Sequence, residues 1–192
     1  MRREIVLLGD EVLRRKCKPV AAVDATTRRL MDDLAETMDA ANGLGLAAPQ
    51  VAVARRVIVA WDGDCDLVVL ANPQIKSRVG QVTASEGCLS LPGLYGLVPR
   101  AKRVLVAGTD RTGRQVQVEA EGLLARALQH EIDHLNGVLF IDHAKELWWH
   151  VDCDDDDPQA IGEPGEKYKK VPTTLDEVRE HFTMVRGERV ES

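Results

Sequence analysis

No stretch of the chain stays apolar for the roughly 20 residues that a bilayer crossing needs. The opening MRREIVLLGDEVLRRK carries only the apolar run IVLL, too short for a secretory leader. The four cysteines, Cys17, Cys65, Cys88 and Cys153, form no CxxC pair and no framework spacing. With no export signal they are expected as reduced thiols in a cytoplasmic protein. No dense Lys/Arg patch offsets the formal net charge of −6, which argues against a nucleic-acid-binding surface. No internal repeat is visible. What remains is ordinary for a globular protein: 192 residues, 44% hydrophobic and 29% charged, enough chain for one domain with a core of its own.

The segment TTRRLMDDLAETMDAANG sets Leu30, Met31, Leu34, Met38 and Ala41 at helical spacing, with Asp24 or Thr26 as cap and Asn42-Gly43 as stop. Short β-like runs follow at 56–61, 66–73 and 102–110. The last forms a hairpin with the alternating Val116 and Val118 across DRTG. LLARALQHEIDHL (123–135) reads as a helix, apolar nearly all round and therefore central. After Lys145 the character changes to the acidic DCDDDDP and the Gly/Pro-containing IGEPGEKYKK. A short helix from Thr174 follows, with Glu177 completing a capping box and Leu175, Val178, Phe182 and Val185 on one face. Residues 1–147 are taken as the functional domain and 148–192 as an appendage, not an independent domain. The aspartates read as a solvated loop.

In QHEIDHLNG, His130 and His134 stand one helical turn apart and reach one ion, while Glu131 lies a residue round. Two imidazoles hold a cation and a carboxylate moves a water's proton: HExxH is a mechanism as well as a pattern. The plainer alternative is a chance helix with core or solvated histidines, which burial without partners makes costly. A third ligand decides the class. The metzincin pattern HExxHxxGxxH finds Gly137 but meets Phe140 where its last histidine belongs. The gluzincin pattern needs a glutamate on a later helix; Glu146 is too close, and Glu163 and Glu166 lie in the Gly/Pro stretch. Upstream, SEGCLSLPG (85–93) offers Cys88 as an inert buried thiol, a nucleophile, or, best, the thiolate that completes a His2Cys site. GLGLAAPQ (43–50) reads as a helix stop and tight turn. No GK[ST] follows it for phosphate, but it offers open backbone to an extended peptide and the Gln50 amide as a donor.

Together the stretches GLGLAAPQ, EGCLS and HEIDH resemble the peptide deformylase family, whose motifs GxGxAAxQ, EGCLS and HExxH stand here complete and in order. LVPR (97–100) and GVLF (137–140) also look like the family's flanking segments, and the resemblance covers roughly residues 4 to 145. It implies an α+β fold, with antiparallel strands packed around a central HExxH helix. Cys88, His130 and His134 would bind one divalent metal ion, commonly ferrous iron, with zinc, nickel or cobalt as substitutes. Glu131 would be general base and acid, and Gln50 with the backbone N–H of Leu89 would steady the oxyanion. Gly45 would lie beside the extended substrate. Leu44 and Leu123, with the His130 ring and Tyr95, would line a pocket for a methionine side chain. Tyr95 stands where relatives often have arginine. Glu86 and Arg100 would pair behind the Cys88 loop.

The activity implied is hydrolysis of the N-formyl group from the initiator methionine of nascent polypeptides, near the ribosome, giving formate and a free amine. Direct nucleic-acid binding and membrane attachment are not expected, and the chain is expected as a monomer. Two other readings remain at this point: a zinc endopeptidase, and a non-catalytic relative that binds chain ends.

Overall fold

Asp24 accepts the backbone N–H of Thr27 at 2.8 Å and opens helix α1 (Ala25–Ala40), so Thr26 lies inside the helix. The helix stops at Gly43, whose N–H reaches the Met38 carbonyl at 2.9 Å. This computed structural model describes residues 1–64, 66–154, 157–162 and 167–190, with the backbone alone over 185–190. Cys65, Glu163, Glu166 and the side chain of Val185 therefore lie outside the described residues.

Two antiparallel sheets form the body. One runs in the order β1 (Gly45–Ala47), β2 (Val57–Ala60), β3 (Val68–Val79), β6 (Arg103–Thr109), β7 (Gln115–Glu121). Every residue of the VIVA strand β2 is fully buried, because helices cover both faces. Val57 and Val59 pack with Leu30, Met31, Leu34 and Met38 of α1. Ile58 and Ala60 pack with Leu124, Leu128 and Ile132 of α2 (Gly122–His134). Strand β3 runs past the expected stop at Pro73, because its pairing with β6 shifts register between Ala71 and Gln74. An irregularity is where a strand accommodates a residue with no N–H.

The second sheet runs β4 (Val82–Cys88), β5 (Leu91–Arg100), β8 (Leu147–Asp152), β9 (Tyr168–Thr173). Strand β8 crosses the 147/148 boundary, pairing Tyr95 with Trp148 and Leu94 with Trp149. Helix α3 (Leu175–Val190) follows β9, capped as expected by reciprocal bonds between Thr174 and Glu177. Its Val178 and Phe182 are buried with Leu91, Leu94 and Phe140. The segment from Trp148 thus continues the second sheet through β8 and β9 and sets Val178 and Phe182 of α3 against its core.

Helix α2 is fastened to this frame by Gln129, whose amide accepts from the N–H of Ala101 at 2.9 Å and donates to its carbonyl at 3.0 Å. At its C-terminal end Gly137 takes φ +75°, and a methyl there would come 2.7 Å from the Arg14 carbonyl carbon. Glycine is the residue that fits both demands.

Candidate metal centre and substrate cavity

His130 and His134 project from one face of α2, and Cys88 meets them from the end of β4. The register slips between Gly87 and Cys88, where β4 turns into β5. One donor atom from each of the three residues lies within 4.8 Å of the others, and Cys88 Sγ stands 3.3 Å from His134 Nε2. His130 Nδ1 faces Glu86 Oε2 at 3.1 Å, which leaves Nε2 of that ring for an ion. A thiol and two buried imidazoles converging this closely suit a borderline-soft divalent cation such as zinc or ferrous iron. The residues present fit the metal that the sequence implies.

Charge follows the same logic. Burial works against protonating His130, but Cys88 and Glu86 outweigh it and lift its pKa well above that of a free imidazole. Burial and the positive neighbour His130 hold His134 well below the ordinary value. His130 thus favours a positive charge beside Cys88 and Glu86 while His134 resists a second proton; a divalent ion would supply positive charge without occupying a ligand with a proton.

Glu131 follows His130 on α2 and lines the same cavity. It is 3% exposed, and its Oε2 has no hydrogen-bond partner among the described residues. Burial pushes its pKa up to about 7, close to where a proton shuttle works best. Gly45 makes room for it: a methyl on Gly45 would stand 2.8 Å from Glu131 Cδ. Gln50 is equally constrained. Its Oε1 accepts from Ala47 N–H at 2.8 Å, so its Nε2 points to Ser90 Oγ at 3.3 Å and Cys88 Sγ at 3.5 Å.

The expected pair of Glu86 and Arg100 is present, with contacts of 2.9 and 3.0 Å. Arg100 also reaches Asp133. Burial disfavours the Glu86 charge, but His130 and Arg100 outweigh it and hold the carboxyl at a pKa of about 2. A second cation was not foreseen. Arg126 reaches Glu86 Oε1 at 2.6 Å and the Val98 carbonyl at 2.9 Å, and it is 8% exposed. The signal was in plain view: a charged residue in an otherwise apolar helix, one turn before His130, needs a buried partner. Ser90, fully buried beside Gln50, carried no such signal.

A cavity of about 420 Å³ opens beside these groups. Glu131, His130 and Cys88 lie at its wall, with Leu44, Leu123 and Tyr95 also lining it. Leu44 is 39% and Leu123 48% exposed, as rim residues would be. Leu89 follows Cys88 in the turn and packs toward the α1 core. Phe140, which ends the metzincin pattern, is buried with its ring 6.1 Å from that of His130. Glu146 is exposed and stands outside the ligand group. Neither protease pattern is completed among the described residues.

Comparison with known proteins gives one answer. A family model described as polypeptide deformylase matches residues 2–148. The peptide deformylase of Symbiobacterium thermophilum is 52% identical over 146 residues, spanning 75% of this chain and 67% of the relative. That of Pelotomaculum thermopropionicum is 51% identical, spanning 75% of this chain and 92% of its own. The crystal structure of the Thermus thermophilus enzyme superposes with a TM-score of 0.70 at 50% identity, over 73% of this chain and 84% of that one. A Synechococcus elongatus peptide deformylase in complex with actinonin gives 0.72 at 43% identity, over 74% and 79%.

Proposed function

The chain belongs to the polypeptide deformylase family, and we propose that Glu131, Gln50 and the Cys88–His130–His134 triangle carry out its removal of the formyl group from nascent polypeptides. The observation that carries this assignment is the buried Glu131 carboxylate set against Gly45, its Oε2 without a hydrogen-bond partner among the described residues, beside the three convergent donors.

A divalent ion held by the three donors would supply Lewis acidity, making water nucleophilic near neutral pH and polarising a carbonyl. The protein's own groups do the rest. Glu131 takes the water's proton and returns it to the departing amine, work that typically contributes about 10²–10⁴-fold. Gln50, its amide turned by Ala47, and the backbone N–H of Leu89 donate to the oxyanion; losing one such donor typically costs about 10²–10³-fold. Leu44, Leu123 and Tyr95 receive the methionine side chain while Gly45 runs beside the peptide backbone. Glu86, held by Arg100, orients His130. A hydrogen on the formyl carbon is the smallest possible substituent, so a tight wall rejects acetyl by size.

The metal in this reading is ferrous iron, with zinc, nickel and cobalt able to replace it. A thiolate beside an open position on iron is a target for oxygen, whereas zinc has no accessible redox change. Iron-loaded enzyme prepared without oxygen should start fast and decay in air, and the zinc form should start slower and persist. We assign the chemistry to residues 1–147, on a monomer working in the cytoplasm near the ribosome, and treat 148–192 as accessory. Among the described residues, no helix is long and apolar enough to cross a membrane.

The deciding experiment measures formate released from formyl-Met-Ala-Ser alongside bound metal. Glu131→Ala should keep the metal and abolish release. Cleavage of internal peptide bonds would support an endopeptidase instead, and binding without turnover would support a chain-end binder. Joint loss of metal and activity would make Glu131 a ligand or a structural group.

A further inference from the structure

The wall residue Tyr95 is itself held from outside the family's matched region, which ends at residue 148. Its ring lies against Gly87, where a methyl would come 2.8 Å from Tyr95 Cε1. His150 of β8 stacks on Tyr95 with ring centroids 3.7 Å apart and planes 17° from parallel. Tyr168 of β9 stacks on His150 in turn, at 3.9 Å and 19°. Three rings from three adjacent strands thus form a ladder that ends in the substrate cavity. The hairpin is fixed in place: Trp148, 6% exposed, pairs with Tyr95 across the strands and carries the Lys170 ammonium 4.5 Å from its ring centre.

A tyrosine on a strand has rotamers that point along the sheet in either direction. Stacking removes that choice, and offset aromatic contact adds stabilisation beyond burial alone. The ring is thus packed against the Gly87 backbone on one side and stacked on His150 on the other, and only the second contact comes from a side chain beyond residue 148.

We propose that His150 and Tyr168 are positioning residues, which hold the Tyr95 ring as a wall of the cavity and thereby set how tightly the enzyme grips the formylmethionyl peptide. The inference rests on the deformylase reading above. Neither residue reaches the reacting atoms, so the chemical step is left unchanged.

The test uses the full-length, metal-assayed enzyme. His150→Ala and Tyr168→Ala should raise KM for formyl-Met-Ala-Ser about three- to tenfold, the range an aromatic contact is worth, with kcat held. His150→Phe and Tyr168→Phe keep a ring in the ladder and should restore KM. In a Tyr95→Ala background, His150→Ala should add nothing, because the effect passes through Tyr95. Calorimetric binding of the product Met-Ala-Ser reads the same wall without turnover, so a wild type that releases no formate would sink the deformylase reading while the binding ratios still judge this one. Unchanged KM and product affinity in both alanine variants would overturn the proposal. So would loss of kcat in step with a lowered unfolding midpoint, or additivity with Tyr95→Ala.

Discussion

The carboxylate of Glu131 rests against the backbone of Gly45, so closely that a single methyl on the glycine would come 2.8 Å from Glu131 Cδ. The displaced atoms are the free end of a flexible side chain, so the fold can yield at little cost. The proton shuttle proposed for Glu131 cannot, because misplacement of about 1 Å is enough to cost about 10²-fold. Gly45→Ala should therefore lower kcat about a hundredfold while the unfolding midpoint and bound metal stay near wild type. A variant with full kcat would show that Glu131 works from another rotamer.

Arg126 and Arg100 share the buried Glu86. Taking one partner from a buried ion pair costs up to about 3–5 kcal/mol, and less where, as here, Arg100 stays on the carboxylate. Arg126→Met should lose part of that stability in urea, and metal affinity should weaken about 10–100-fold as His130 loses its steady acceptor. Lysine should rescue poorly, since it cannot reach Glu86 and the Val98 carbonyl at once. Wild-type stability in the methionine variant would mean Arg100 alone suffices.

Acid should weaken the contact between the loop after α2 and the N-terminal segment. Burial works against the charge on Asp142, but Arg14 and the Leu139 N–H outweigh it and hold the carboxyl below its ordinary pKa. A depressed folded pKa stabilises above the unfolded value of about 3.9 and loses that stabilisation as pH falls through the folded value. Both partners are about a third exposed, so the pair is worth at most about 1 kcal/mol. Asp142→Asn should be less stable than wild type by up to that amount at pH 7, and the gap should close below pH of about 4. A gap that ignores pH would place the effect in packing.

Phe182 is 3% exposed in the cluster of Leu91, Leu94 and Phe140. Replacing a buried phenylalanine by alanine typically costs about 3–5 kcal/mol. Phe182→Ala should show that loss in denaturant unfolding although it lies outside residues 2–148, which the family model matches. A loss under about 1 kcal/mol would mean α3 is only loosely docked.

The two candidate histidine ligands were legible because a helix writes its geometry locally: His130 and His134 are neighbours in sequence and in space. Gln50, Cys88 and Glu86 were legible only through their motifs, since nothing in the spacing of separate segments says they meet. Strand β5 hid for a physical reason. Its buried face runs Leu94, Gly96, Val98, Arg100, so two of four core positions carry no hydrophobic side chain. Gly96 is small because the Glu146 carbonyl would lie 2.8 Å from a methyl there. Arg100 is buried because Glu86 neutralises it. Strands β8 and β9 hid because residues 153–167 separate them, too far for a hairpin signal. The helix α3 was readable from its capping box, but its docking on β5 was not.

The Cys88 and His134 donors lie 46 positions apart in the chain. One belongs to the four-stranded sheet and the other to the helix seated on the five-stranded sheet. Any ion shared between them is therefore a cross-link as well as a reagent. By the chain-entropy relation, closing a loop of that length in the unfolded polypeptide is worth about 4 kcal/mol. Chelation should then do more than silence the enzyme: the sheets lose their tie, and amide exchange should quicken first along β4 and β5, where the released thiol sits.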